Sequence, residues 1–134
     1  MRKGSRKEKI LDTNVILRYL LKDDNDLYLK AEKIINSVKS GECYLFIPQA
    51  VFVEVVFVLQ KLYKVPRNEI VNALNFFLFL KGCKVQDKEV IEKALVIYKT
   101  TNLSFVDALL CAFKRGRKYL LETFDKDLIK KCTD

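Results

Sequence analysis

Histidine is absent from the 134 residues. Mechanisms that relay a proton through an imidazole, whether Ser-His-Asp or Cys-His, are therefore excluded. The four cysteines, Cys43, Cys83, Cys111 and Cys132, form no C-x-x-C pair, so a zinc site of the usual Cys/His type is excluded with them. Glycine is scarce and unclustered, with four residues in all, which leaves neither a G-x-G-x-x-G nor a Walker-type phosphate loop. Long hydrophobic runs are missing as well. The longest, residues 51–59, is interrupted by Glu54 and falls short of the ~20 apolar residues a bilayer span needs. The N-terminal MRKGSRKEK is basic but leads into no apolar signal segment. These absences predict a cytoplasmic chain with no membrane partner, in which each cysteine is a small buried hydrophobe kept reduced.

What is present is apolar material and positive charge. Half of the residues are hydrophobic and 31% are charged, a globular composition whose length fits one domain. Lys and Arg number 25 against 17 Asp and Glu, a formal net charge of +8. Such a surplus favours polyanionic partners, nucleic acid or an acidic membrane surface, although a Lys-rich surface serving only solubility has the same composition.

The hydrophobic periodicity alternates strands with helices. Strands are predicted at 8–12, 43–47, 83–86 and 118–122. Helices are predicted at 14–22, 26–39, from Pro48 to about Tyr63, at 67–80, 88–100, from Ser104 to about Lys114, and at 125–131. Gly41 suits the end of the second helix and Pro48 the first turn of the third. Strands separated by helices imply parallel pairing with right-handed crossovers and ligand binding at the carboxyl ends of the strands.

Four carboxylates stand out against this frame. Glu54 lies in VFVEVVFVL, a helix apolar on nearly every side, where burial is expected and an ionised group costs several kcal/mol unless paired, hydrogen-bonded or bound to metal. Asp107 lies in SFVDALL, where Ser104-x-x-Asp107 also has the spacing of a capping box. Asp12 closes the first strand and Asp125 follows the strand KYLLE; either is equally suited to capping the next helix. In a parallel sheet, strand ends and the starts of the following helices share one edge, so all four acids can converge on one cleft. Like charges held close repel, and a hard divalent cation with oxygen ligands removes that conflict without histidine or cysteine. Such a site suits phosphodiester cleavage. Asp12 and Asp107 are the expected metal ligands, with Glu54 and Asp125 acting directly or through water.

The segments ILDTNVIL (10–17), VEVV (53–56), SFVDAL (104–109) and TFDKD (123–127) resemble the PIN-domain nucleases, in particular the VapC-type toxins of toxin–antitoxin systems. The resemblance spans about residues 8 to 131. It implies a PIN-like three-layer α/β fold, with a mainly parallel sheet of four to five strands flanked by helices on both faces, in a single domain from residue 8 to 134; in this sequence a basic leader at 1–8 precedes it. It implies a four-acid site at Asp12, Glu54, Asp107 and Asp125, supported by Thr13, Asn14, Ser104 and Thr123. The implied activity is Mg²⁺-dependent endoribonuclease, with Mn²⁺ as a substitute, acting on RNA from a homodimer and held in check by a small antitoxin protein. The leader is longer than the family's usual start, and a further apolar strand often found at the family's C-terminus is absent.

Softer features remain. Lys114, Arg115, Arg117 and Lys118 form a basic cluster suited either to a helix C-terminus or to a phosphate-binding rim. The run Phe76 to Leu80 reads mostly as core, with part available to a partner. Two other functions share the same residues: an RNA-processing or decay nuclease without an antitoxin, and a non-catalytic RNA-binding scaffold. The presence of all four acids argues against the last.

Overall fold

The structure is a computed structural model that describes residues 7–116 and 119–133. The elements follow in the order β1 (Lys7–Ile10), α1 (Thr13–Leu21), α2 (Asn25–Lys39), β2 (Cys43–Ile47), α3 (Gln49–Lys61), α4 (Arg67–Phe79), β3 (Cys83–Val85), α5 (Lys88–Thr100), α6 (Phe105–Arg115) and α7 (Lys126–Lys131). Every predicted helix is present, because each carries both an apolar stripe and a stop. Helix α2 shows the logic. Asp24 caps its start by accepting from the Leu27 N–H at 3.1 Å. The helix buries Ala31, Ile35 and Val38 at helical spacing, and its end is closed by Ser40 and Gly41, the latter at φ 82°. A positive φ is the region in which glycine carries no side-chain penalty.

The described residues form one three-stranded parallel sheet in the order β1-β2-β3. Lys7 to Ile10 register against Cys43 to Phe46, and Leu45 to Ile47 against Cys83 to Val85. The ladder continues one step past β1, where the Leu11 N–H donates to the Phe46 carbonyl at 3.0 Å. The first strand begins at Lys7, inside the basic leader expected at 1–8.

Strand alternation sets what the sheet buries. Cys43, Leu45 and Ile47 of β2 point into the core, while Tyr44 is exposed and Phe46 half-buried. The core continues through Ile16 of α1, Ile35 of α2, Phe52 of α3, Leu74 and Phe77 of α4 and Tyr98 of α5, each fully buried. Helix α1 packs on α2 and α3, α4 on α3, β3 and α5, and α6 on α5 and α3. The run at the end of α4 divides as its periodicity requires: Phe77 and Leu78 are core, and Phe76 and Phe79 face outward.

The sheet is smaller than expected. Tyr119 to Glu122 form no strand, and Lys118 lies outside the described residues, so the expected strand at 118–122 and the four- to five-stranded sheet are corrected to three strands among the described residues. The consequences show on both sides of the missing pairing. All four residues of β1 are exposed, with Ile10 75% accessible, and Leu120 is 91% accessible. A short apolar run such as Tyr119-Leu120-Leu121 becomes a strand only when a partner edge covers it, and local pattern carries no information about that partner.

The cysteines also depart from the expectation of four reduced thiols. Cys111 of α6 and Cys132, just past α7, are joined by a disulfide across 21 residues with Cα atoms 5.4 Å apart. Cys43 and Cys83 are free. Burial pushes the Cys83 thiol up to about 11, which makes it a poor nucleophile at neutral pH. Among the described residues no helix is long and apolar enough to cross a membrane.

Candidate active site

The parallel ladder brings the C-terminal ends of β1 and β2 to one edge of the sheet. Asp12 follows the end of β1 by two residues, and α3, which carries Glu54, starts two residues after β2. Helix α3 packs between α1 and α6, so the helices bearing Asp12, Glu54 and Asp107 are neighbours. Helix α7, which Asp125 opens, is fastened to α6 by the Cys111–Cys132 bond and by the Arg115 guanidinium donating to the Lys131 carbonyl at 3.3 Å.

The four carboxylates differ in what engages them. Asp12 occupies the N-cap position of α1 with extended backbone, yet its side chain makes no capping bond. Asp107 takes part in half of a capping box. Ser104 Oγ accepts from the Asp107 N–H at 3.1 Å, and among the described residues the Asp107 carboxylate does not accept from the Ser104 N–H in return. Glu54 is exposed, which corrects the expectation of a buried carboxylate. The reason is the helix period: Phe52, Val55, Val56 and Leu59 turn inward, while Ala50, Glu54, Phe57 and Lys61 form an outward stripe. Asp125 does cap its helix, Oδ1 accepting from the Asp127 N–H at 3.0 Å and the Leu128 N–H at 3.1 Å.

Asp12, Glu54 and Asp107 therefore carry neither a side-chain hydrogen bond nor an ion pair among the described residues, in a chain with 25 basic residues. Some other acids are engaged. Asp23 pairs with Arg18 at 2.7 Å, which holds its carboxyl below the ordinary aspartate range, and Asp127 pairs with Lys131 at 3.1 Å. Among the described residues no three acids, cysteines or histidines approach closely enough to enclose one ion. The donor chemistry still fits a hard divalent cation. Mg²⁺ is commonly held by one or two carboxylates with water and substrate phosphate filling the rest, rather than by an all-protein cage.

The supporting residues sort by contact. Thr13 is the buried polar residue of this region, in the first turn of α1. Asn14 is exposed and lines an open groove of about 430 Å³ between α1 and α2 with Val15, Arg18, Leu27, Lys30 and Ile34. Ser104 caps α6, and Thr123 Oγ1 accepts from the Asp125 N–H at 3.0 Å, so both hydroxyls hold the turns that present an acid. In the basic cluster, Lys114 and Arg115 occupy the last turn of α6, about 10 Å along the axis from Asp107. Arg117 and Lys118 lie outside the described residues.

Two residues with no signal in the sequence stand behind Asp107. Arg67 reaches from the first turn of α4 to the segment between α5 and α6, and Asn102 in that segment meets Lys131 of α7. Their partners lie 29 to 36 residues away in the chain, beyond any local pattern.

The sequence matches the PIN domain family over residues 9–133, and the chain belongs to that family. The resemblance to its VapC-type branch holds: the chain is 29% identical over 101 residues to a VapC ribonuclease of Aquifex aeolicus (strain VF5), covering 75% of this chain and 74% of that protein. No solved structure gives a significant match.

Proposed function

We propose that this chain is a Mg²⁺-dependent endoribonuclease and the toxin of a toxin–antitoxin pair, with Asp12, Glu54, Asp107 and Asp125 as its acids. The observation that carries the reading is that Asp12 stands at the N-cap position of α1, inside a family-like motif, without capping the helix or meeting a cation among the described residues. An aspartate serving there only as an N-cap is expected to accept from its helix, as Asp24 does at the start of α2.

Asp12 and Asp107 would hold the ion, Mg²⁺ or in its place Mn²⁺. A bound divalent cation supplies charge neutralisation on the phosphoryl oxygens and a water of lowered pKa. Glu54 would act on the ion directly or through a water that it orients. Asp125 offers Oδ2 while Oδ1 stays with the helix cap. The chain's surplus of positive charge draws RNA to the surface, a contribution that weakens with salt. Action as a homodimer under control of a small antitoxin protein in the cytoplasm belongs to the same reading.

The test is cleavage of RNA with Mg²⁺, with Mn²⁺ and with chelator, for the parent chain and for Asp12→Asn and Asp107→Asn. Cleavage should require the ion and fall by about a hundredfold or more in each variant, as expected for the loss of several kcal/mol of transition-state stabilisation. Metal-independent cleavage, or full activity in Asp107→Asn, would overturn the assignment.

A further inference from the structure

The segment that delivers Asp107 runs from the end of α5 at Thr100 through Asn102 and Leu103 to the cap Ser104. The last carbonyls of α5 and those of the loop that follows it have no partner within a helix and need donors. Thr101 Oγ1 donates to the Ile97 carbonyl at 2.7 Å, and one side chain supplies three more. Arg67 Nη1 donates to the carbonyls of Tyr98 at 2.9 Å and Leu103 at 2.6 Å, and Nη2 donates to the carbonyl of Asn102 at 3.2 Å. The guanidinium also lies 4.1 Å from the centroid of the Tyr98 ring, whose hydroxyl donates to Gln60 Oε1 on α3 at 2.7 Å.

We propose that Arg67 is a positioning residue for the Asp107 carboxylate, acting through the backbone of 102–104. Leu103, whose carbonyl takes the shortest of the three bonds, is directly followed by Ser104, and Ser104 Oγ holds the Asp107 N–H. The three carbonyls and the ring face demand a planar fork, which lysine does not reproduce. Arg67 rests on α4, whose first turn sits over the buried Ile70 and Val71, so the anchor is rigid. The inference rests on Asp107 belonging to the site proposed above.

The test compares Arg67→Gln and Arg67→Lys with Ile91→Val, a core change in α5 that lowers stability without touching 102–104. Amide hydrogen exchange is followed at Asp107 and across α2, and the Mg²⁺ dependence of RNA cleavage is measured in parallel. In Arg67→Gln, exchange at Asp107 should rise by about tenfold or more relative to α2, the scale expected when charge-assisted hydrogen bonds holding a local turn are lost. The Mg²⁺ concentration for half-maximal cleavage should rise with it, and Arg67→Lys should recover only part of both. Exchange that rises equally in α2, as in Ile91→Val, reduces Arg67 to general stability and overturns the proposal, as does an unchanged Mg²⁺ requirement. A parent chain that cleaves nothing counts against the nuclease reading instead, and the exchange at Asp107 then decides whether Arg67 holds the turn.

Discussion

Replacing Asp12 and Asp125 in turn by alanine should separate two jobs that an aspartate at a helix start can do. Asp125 Oδ1 accepts from two backbone N–H groups of α7, at 3.0 and 3.1 Å. That helix is six residues long, and so short a helix depends on its cap and its docking rather than on its own propagation. Loss of an aspartate N-cap costs about 1 kcal/mol. For a domain of this length that lowers the melting temperature by roughly 3–5 °C. Asp125→Asn keeps an acceptor of equal capping strength and should melt with the parent. Asp12 sits at the same kind of position but caps nothing, so Asp12→Ala should stay within about 0.5 kcal/mol of the parent while losing metal-dependent cleavage. Thermal unfolding followed by circular dichroism, paired with RNA cleavage on the same preparations, reads both quantities. If Asp12→Ala destabilises the fold as much as Asp125→Ala, the Asp12 carboxylate is holding the helix and its assignment to chemistry fails.

The Arg18–Asp23 pair should be visible in acid. The guanidinium bonded to Asp23 lowers its pKa, so the pair's contribution is present above the unfolded aspartate value and is lost as pH falls through the lower folded value; carbon-detected titration should place the Asp23 midpoint lower in the parent chain than in Arg18→Ala, and equal midpoints would deny the pair. The Cys111–Cys132 bridge closes a span of 21 residues and should stabilise the oxidised chain by about 3 kcal/mol over Cys111→Ser, a difference that disappears in excess reductant. Thiol titration of the oxidised, unfolded chain should count two reactive groups, Cys43 and Cys83; four would show that the bridge does not form. In the folded chain Cys83 should resist alkylation at neutral pH and react as pH approaches its raised value of about 11, whereas rapid labelling at pH 7 would contradict its burial.

The local pattern was sufficient for elements and insufficient for their partners. Helices α5 and α6 were legible because Ile91, Ala94, Leu95 and Tyr98, then Phe105, Ala108, Leu109 and Ala112, recur at helical spacing behind recognisable starts. The strand expected at 118–122 rested only on a short apolar run and did not form between Tyr119 and Glu122. A strand needs an edge to pair with, and pairing is a property of the whole sheet.

By itself the sequence determined the α/β order of elements, the exclusion of imidazole chemistry, and the family, carried by short motifs around Asp12, Glu54, Asp107 and Asp125. Only the tertiary structure decided which of those acids is engaged. Asp12 and Asp125 read alike as candidate caps, and their difference lies in the direction each side chain takes once its helix is docked. Glu54 read as buried until the packing of α1 and α6 against α3 left its stripe facing outward. Arg67 and the Cys111–Cys132 bond were invisible in the chain because their partners are distant in sequence and near in space. Periodicity is a local property of a polymer, whereas the neighbours of a charge or a thiol are set by how the elements pack.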